Sequence, residues 1–324
     1  MHIKKQPLSA LHEGDRVDDI FVVKIKKGVF PYKKGHCLIL ILSDASGASV
    51  KYTYWGADEA SVRQLAAPIH EDCVVRVQGR AEVYDSELRI STNPPDSVTV
   101  LPPGEYNPAD FIGLPRRNVG EMEKEFQVVI ASVKNEEIKK LLEHLFFHNA
   151  AFFTAFKNHP ASIERHHNWT AGLIQHVLEM AQLTEQTVKL FPGLDRDLLM
   201  AGVLLHDIGK VEEMDVTTRI KGSFAGQLNG HIAIGYHLVS GAMDTLGTGK
   251  DLRAKILHLL VSHHGQLVFG SPKEPMFPEA IALHYIDQLS AQVTSFLDDV
   301  RSSSTLTEDR FMYSKYQRHN ILVR

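Results

Sequence analysis

The stretch LLHDIGK at residues 204–210 places His206 and Asp207 side by side at the end of an apolar helical segment. Neither side chain belongs in an apolar core without a partner, because burying a lone ionisable group is costly. Imidazole and carboxylate groups are both ligands of divalent metals. The motif therefore predicts a metal site, provided that other parts of the chain supply further ligands.

Ionisable residues recur on other apolar helical segments. The chain has 18 histidines, and thirteen of them fall between His144 and His284. At i, i+3, i+4 spacing, four more helices each place one metal-ligand type among apolar neighbours. These residues are His176 in GLIQHVLEM, His231 in GHIAIGYHL, His263 in KILHLLVSHH and Asp287 in IALHYIDQLSAQV. One such histidine is more often a core residue bonded to a carbonyl, but five helices that each present one inward favour a shared ion.

The sequence around these residues has the period of helices from about residue 118. We therefore expect an all-α bundle over residues 118–300. Its expected helices are 119–134, 136–157, 168–191, 195–208, 229–246, 251–264 and 278–300. For the C-terminal tail, residues 301–324, a frayed end and a strap over the bundle both remain open.

A different pattern precedes the helices. Residues 14–101 contain five or six short segments rich in Val and Ile, separated by turn signals, which is typical of a small antiparallel barrel. The sequence LPPGEYNPADFIGLP then carries four prolines. We expect an N-terminal β-barrel domain over residues 1–101, a linker over 102–117, and hence an α and β multidomain protein.

Composition limits the class of protein. Hydrophobic content of 44%, charged content of 23% and a net charge of −4 are those of a soluble globular chain that is not basic all round. No apolar run approaches the length of about 18 residues that spans a bilayer, so no membrane partner is expected. Cys37 and Cys73 lie in strand-like segments without metal or redox spacing. Buried thiols in a reducing cytoplasm are the expected state, although a disulfide between them stays possible.

His176, the His206–Asp207 pair and Asp287 resemble the H…HD…D signature of the HD-domain metal-dependent phosphohydrolases. His231 and His263 match the additional ligands of members with two metals. The resemblance implies a first ion held by His176, His206, Asp207 and Asp287. It implies a second ion held by His231, His263 and a bridging Asp207.

Mixed histidine and carboxylate ligation suits a divalent transition metal, with Mn²⁺ expected and Fe, Ni or Co left open. Two such ions can activate a hydroxide and polarise a phosphoryl oxygen. Lys210 then neutralises charge on the phosphate, or is an ordinary lysine at a helix end. His264 is an alternative ligand, a proton donor to the leaving oxygen or a support for another ligand. His167 contacts a substrate phosphate or lies at the surface.

The N-terminal segments resemble an OB-fold. Basic and aromatic residues alternate in its first half, as sequence-tolerant binding of single strands requires. The candidate nucleic-acid-binding residues are Lys26, Lys27, Tyr32, Lys33, Lys51, Tyr54 and Trp55. The alternatives are that the aromatics fill the barrel and the lysines form a solvated face, or that the domain binds protein.

The order of OB-fold, proline-rich linker and HD motifs resembles the YhaM-type 3′-5′ exoribonucleases. SHHGQLVFGSPKEPMFPEA at 262–280 is the most diagnostic stretch. Its Lys273 contacts a phosphate or belongs to a plain turn. The chain departs from the pattern of that family beside the ligands, at Ala171, Gln175, Ala225, Gln288, Ser290 and Gln292. These departures concern metal preference and rate more than reaction class.

The resemblance implies a metal-dependent 3′-5′ exoribonuclease acting on single-stranded RNA, with DNA left open. One rival is an HD phosphohydrolase of nucleotides or cyclic nucleotides. A second is a non-catalytic single-strand-binding adaptor with a structural metal. A homo-oligomer is compatible with each of them.

Overall fold

The computed structural model describes residues 2–85, 87–303, 310–314 and 317–323. The chain divides into two compact units. The first comprises the residues up to Leu114 together with Val216–Ile220, and the second comprises Pro115–Asp215 and the chain from Lys221 onward. The segment predicted as a linker, residues 102–117, is therefore divided between the units. Its Phe111 is 5% exposed and packs on Ile20 and Val74 of the first unit.

The first unit is built on one mixed sheet. Its elements are β1 (Arg16–Tyr32), β2 (Gly35–Ser43), β3 (Ser49–Gly56), α1 (Glu59–Ala66), β4 (Val74–Tyr84), β5 (Glu87–Thr92) and β6 (Val98–Leu101). The strands follow the order β1-β2-β3-β5-β4-β6, and β4 also pairs with β1, so the pairing returns to its first strand. A helix between the third and fourth strands and a parallel β3–β5 pair complete an OB-like arrangement. The predicted OB-fold is confirmed.

The length of β1 makes this arrangement possible. Its first half pairs with β4 and its second half with β2, and register shifts between Val23 and Ile25 and between Lys26 and Gly28 interrupt the pairing with β2. Such irregularities bend a strand and increase its twist. Alternate residues of the bent strands then point to one enclosed side, where Phe21, Leu40 and Tyr52 are fully buried.

The second unit is helical. Its helices are α2 (Val119–Ala131), α3 (Glu136–Phe147), α4 (Ala150–Asn158), α5 (Gly172–Leu190), α6 (Arg196–Leu205), α7 (Lys210–Glu213), α8 (Phe224–Leu246), α9 (Lys250–Ser262) and α10 (Pro278–Ser303). The segment expected as one helix over 136–157 is two, because the side chain of Asn149 accepts a hydrogen bond from Phe152 N at 3.0 Å and starts a new helix. Leucine, valine and phenylalanine side chains of these helices form one core. The predicted helical domain is confirmed.

The prediction of an all-α second domain needs a correction. Two short hairpins accompany the helices: β7 (Met214–Val216) with β8 (Ile220–Gly222), and β9 (Phe311–Ser314) with β10 (His319–Leu322). The described part of the C-terminal tail is thus ordered, since Ser314 Oγ donates to Asp299 Oδ2 at 2.5 Å and Ile321 is 3% exposed. Residues 304–309, 315, 316 and 324 lie outside the described residues.

Two further expectations concern the described chain as a whole. None of its helices combines the length and apolar character needed to cross a bilayer. Cys37 and Cys73 are both buried free thiols, so they do not form the disulfide that the sequence left open.

Candidate metal centre

Five helices of the second unit bring the predicted ligands together. His176 lies within α5 and Asp287 within α10, while His206 and His263 are the residues that end α6 and α9. His231 follows a kink in α8 at Gly230, where φ is 70°. His176, His206 and His263 are at most 1% exposed.

Asp207 lies between two groups of histidines. Its Oδ2 is 3.2 Å from His206 Nε2 and 3.9 Å from His176 Nε2. Its Oδ1 is 3.5 Å from His231 Nε2 and 3.9 Å from His263 Nε2. One carboxylate thus offers a different oxygen to each histidine pair, which is the arrangement that a bridging ligand requires.

Asp287 belongs to the first of these groups. Its Oδ1 lies 3.2 Å from His176 Nε2 and 4.0 Å from His206 Nε2. The side facing Asp207 Oδ2 therefore holds two imidazoles and two carboxylates.

The second imidazole nitrogen of each histidine is already engaged. His206 Nδ1 donates to Val203 O at 2.9 Å, and His263 Nδ1 donates to Leu260 O at 2.7 Å. His231 Nδ1 donates to Glu213 Oε1 at 2.9 Å. Carbonyl and carboxylate oxygens only accept, so the proton sits on Nδ1 and the Nε2 lone pair faces the centre. His176 Nδ1 is 3.0 Å from Ser290 Oγ, which accepts in the same way.

These residues fit a bound metal. Among the described residues, the Nε2 atoms of His176, His206, His231 and His263 are buried without a hydrogen-bond partner. Four orphaned lone pairs beside two carboxylates form a donor set for divalent transition metals, since a buried acceptor without a partner is otherwise costly. The residues to which the sequence assigned metal binding therefore lie together.

The pKa shifts of the two carboxylates and of His263 agree with this fit. Burial raises the pKa of Asp207, but Lys210 and His206 outweigh it and hold that pKa well below its usual range. The pKa of Asp287 is likewise lowered, since His176 outweighs the effect of burial. Burial lowers the pKa of His263. The carboxylates are therefore ionised and this imidazole is neutral, the forms in which they bind metals.

His264 lies with the second group. Ligand atoms of His231, His263 and His264 fall within 4.8 Å of one another. His264 Nδ1 donates to Phe269 O at 2.9 Å, and burial lowers the pKa of this side chain. A neutral ring whose Nε2 carries no proton is a ligand or acceptor, so the geometry favours the ligand alternative over the proton donor.

Lys210 contacts a ligand directly. Its Nζ lies 2.6 Å from Asp207 Oδ2, and its side chain is 12% exposed. The ammonium group therefore sits at the rim of the centre, where it holds positive charge beside the first group of ligands.

A correction concerns His167. Its ring is fully buried, and its Nε2 lies 3.0 Å from Glu179 Oε2. The predicted contact to a substrate phosphate is wrong, because neither the ring nor this nitrogen is accessible. The sequence His166–His167 does not indicate that the ring of His167 is buried. Lys273 is exposed, and its phosphate contact stays a prediction.

Glu179 joins several residues that the sequence marked as departures from the family pattern. It accepts from Gln175 Nε2 at 2.9 Å, and Ser290 Oγ donates to it at 3.4 Å. Trp169 Nε1 donates to Gln175 Oε1 at 3.2 Å. Ser290 thus links His176 to a carboxylate through its hydroxyl, so the altered neighbours still orient the ligand.

The other departures have smaller consequences. Ala171 adopts the left-handed conformation, with φ of 61°, just before α5. Glycine adopts this conformation at lower cost, so alanine carries backbone strain here. Gln292 Nε2 donates to Gln288 Oε1 at 2.7 Å on the surface of α10. Ala225 is exposed in the first turn of α8.

Sequence reasoning missed Glu179 and Glu213. Glu213 Oε1 accepts from both the backbone N and the Nδ1 of His231, each at 2.9 Å. A carboxylate that holds a ligating imidazole fixes its orientation and increases its basicity. Glu179 follows His176 by three residues on the same helix, which is a spacing that could have indicated its role.

The predicted nucleic-acid-binding residues of the first unit divide into two sets. Lys26 is a correction, because its Nζ donates to Ala66 O and Ile69 O at 2.6 and 2.7 Å and so secures the end of α1. Tyr54 is partly buried and packs against the core of the sheet, so its contact with nucleic acid stays a prediction. Lys27 and Lys33 are exposed, as solvent-facing contacts would require.

The remaining candidates share the opposite face of the sheet. Trp55 and Lys51 are both on β3, an even number of residues apart, so their side chains lie on the same face. Lys51 pairs with Arg89 of β5. Tyr32 meets Trp55 edge to face at 4.7 Å, and Trp55 Nε1 donates to Ser91 Oγ at 2.7 Å. Arg89, which sequence reasoning missed, lies over the Trp55 ring at 5.7 Å. This face combines aromatic rings with cations.

Comparison with known proteins defines the class first. The HD domain family model matches residues 173–292, the part of the chain that carries the centre. This HD domain implies a divalent metal.

Curated relatives then define the family. The 3′-5′ exoribonuclease YhaM of Bacillus velezensis is 34% identical over 288 residues, which cover 87% of each chain. YhaM of Bacillus subtilis is 33% identical with the same coverage. The chain belongs to the family of the 3′-5′ exoribonuclease YhaM.

A solved structure is similar to the first unit. The second OB-fold domain of replication protein A from Methanococcus maripaludis covers 31% of this chain and 94% of its own, at 19% identity and a TM-score of 0.24. The strand order, rather than this likeness, assigns the OB-fold.

Proposed function

We propose that this chain is a metal-dependent 3′-5′ exoribonuclease that shortens single-stranded RNA, with DNA as a second substrate to be tested. The observation that carries the proposal is the position of Asp207 between two histidine pairs. The YhaM relatives, named as 3′-5′ exoribonucleases, support the direction of degradation. The proposed metal is Mn²⁺, bound as two ions, with Fe, Ni or Co as alternatives.

The residues have separate tasks in this reaction. His176, His206, Asp207 and Asp287 would hold one ion, and Asp207, His231 and His263 the other. When bound, the ions activate water and polarise a phosphoryl oxygen. Lys210 places an ammonium beside Asp207, where it attracts the phosphodiester and balances charge that develops on it. Glu213 and Ser290 keep two imidazoles oriented.

The first unit would supply the strand. We propose that the face with Tyr32, Lys51, Trp55 and Arg89 binds single-stranded RNA by stacking and phosphate neutralisation. The buried free thiols Cys37 and Cys73 suit the reducing cytoplasm that we propose as its compartment.

The test uses the full chain with Mn²⁺ and 5′-labelled single-stranded RNA, single-stranded DNA and duplex RNA. A ladder that shortens from the 3′ end of the single-stranded RNA is expected, and it should be lost in His231→Gln. His237→Gln is the matched control, because His237 is exposed on the same helix. Tight strand binding without cleavage would favour the adaptor, and hydrolysis of nucleotides alone would favour a nucleotide phosphohydrolase.

We also propose that the active form contains a second copy of this chain. Five exposed apolar residues recur every four positions along α10, and we call them the α10 stripe: Ile281, Tyr285, Leu289, Val293 and Leu297. The stripe continues into an apolar groove of about 860 Å³ that Leu190, Phe191 and Met276 line. Monomeric proteins rarely expose so large an apolar patch.

The pattern suits pairing with itself. A row with a four-residue repeat is a ridge that packs into the groove of an identical helix, and its centre at Leu289 would lie on a two-fold axis. The stripe and the three groove residues are 45% to 77% exposed. At roughly 100 Å² each, these eight side chains approach the ~800 Å² that each partner buries in a standard interface.

Sedimentation velocity tests this proposal. The wild-type chain is expected to sediment as a dimer, and Leu289→Arg as the 36.3 kDa monomer. Val128→Arg is the matched control, since Val128 is 66% exposed on a different helix, α2. A wild-type chain that is monomeric at micromolar concentration would disprove that a second copy of this chain covers the α10 stripe.

A further inference from the structure

We propose that a cavity beside His231 receives the base of the 3′-terminal nucleotide, an inference that rests on the proposed function. The cavity measures about 500 Å³, within the range of small-molecule sites. His231 and His264 line it on the side of the metal centre. Its other walls are largely apolar and include Ile232, Tyr236, Val261 and Phe269.

Two aromatic rings give the cavity the means to hold a base. Tyr236 is 41% exposed and Phe269 is 57% exposed, although both side chains are large and apolar. Aromatic rings that remain accessible in a cavity offer stacking surfaces to any base, because every base has a π-face. The neighbouring metal centre is proposed to act on a phosphodiester. A purely apolar substrate group would not need two stacking rings beside such a centre, whereas a base would use them.

The position of Phe269 is fixed relative to the centre. His264 Nδ1 donates to Phe269 O at 2.9 Å. The turn that carries Phe269 is closed by Phe269 N donating to Gln266 O and Gly270 N donating to Leu267 O, both at 3.0 Å. The backbone that carries the ring is therefore held beside His264, which keeps this wall of the cavity next to the metal centre.

The polarity of the lining indicates how the base is recognised. Glu213 lines the cavity, but it already accepts a hydrogen bond from His231. Asn229 is the side-chain amide among the described lining residues. Stacking without a set of hydrogen-bonding partners cannot distinguish one base from another. The cavity thus accepts all four bases, which an exonuclease that removes successive nucleotides needs.

A second cavity on the other side of His231 indicates the course of the strand. It measures about 580 Å³, shares Glu213 and His231 with the first, and includes Lys210 and Arg165 in its lining. Cationic side chains suit a phosphate backbone, whereas the apolar cavity suits a base. The scissile phosphate then lies between them, with the terminal nucleoside on the Tyr236 side and the remaining strand on the Arg165 side.

The test uses ten-nucleotide RNA that carries the fluorescent adenine analogue 2-aminopurine at the 3′ end or five positions upstream. Quenching by the full-length His231→Gln chain reports base stacking without cleavage. We expect stronger quenching of the terminal probe, lost in Tyr236→Ala and Phe269→Ala and kept in Tyr236→Phe. Tyr313→Ala is the matched control, because Tyr313 is 59% exposed on β9, outside both the cavity and the α10 stripe.

Kinetics of the chain with its native His231 provide the second readout. Tyr236→Ala should raise the KM for RNA about tenfold or more, with little change in kcat. The same loss should appear when wild type acts on RNA with an abasic 3′ terminus, and the two changes together should add nothing. If wild type cleaves RNA but neither ring affects KM or quenching, the base site is disproved. If terminal quenching occurs without cleavage by wild type, the proposed function fails and the base site stands.

Discussion

Replacing Asp207 with asparagine is expected to abolish exonuclease activity and to remove the two ions that we propose. The amide keeps the size of the side chain but offers one oxygen instead of two. Whichever way it turns, its NH₂ group faces either the His176–His206 side or the His231–His263 side, 3.2 to 3.9 Å away. Metal content by mass spectrometry should fall, and kcat/KM on single-stranded RNA should drop roughly a thousandfold or more.

Asp215→Asn serves as the control for this change, since Asp215 is exposed in the nearby hairpin. It should retain metal and activity. Two tightly bound ions and near-normal cleavage in Asp207→Asn would show that Asp207 does not bridge the centre.

Gly209, the glycine of HDIGK, should be nearly as sensitive to substitution as Asp207, because other backbone atoms pack closely against it. A Cβ on Gly209 would lie 2.1 Å from His231 O and 2.6 Å from Gly235 N. These are backbone atoms, so α8 would have to move and take His231 with it. Gly209→Ala should cost about 3 kcal/mol or more of folding stability, which corresponds to a fall in Tm of roughly 10 °C.

Gly241→Ala is its counterpart within α8, because a Cβ there would meet nothing within 4 Å. Thermal unfolding should show this variant as stable as wild type or slightly more so. An unchanged Tm in Gly209→Ala would mean that α8 does not pack on the HDIGK turn as described.

Much of the centre was predictable because its ligands obey helical spacing. His176, His231 and Asp287 each stand out from apolar neighbours at i, i+3, i+4 positions, and this periodicity survives in the structure. A small β domain was predictable from alternation and turn signals for the same reason, since local pattern and burial agree there, whereas the OB-fold itself came from resemblance.

The wrong predictions arose where contacts between distant parts of the chain, rather than local pattern, decide the position of a residue. Lys26 looks like its exposed neighbour Lys27 in sequence, yet two backbone carbonyls at the end of α1 bind its ammonium. His167 looks like a surface residue, yet α5 packing buries it against Glu179. The hairpins of β7–β8 and β9–β10 have strands of three or four residues, too short to show a period.

The Nδ1 hydrogen bonds of the four histidines are of two kinds, and this has a consequence for how the centre can change. His206 and His263 donate to carbonyls of their own helices, which any sequence that folds this way provides. His176 and His231 donate to Ser290 and Glu213, which single mutations can replace. In the proposed two-ion centre, each ion would therefore have one histidine anchored by its own helix and one anchored by a replaceable side chain, so single mutations could change the affinity for one ion while leaving the other undisturbed.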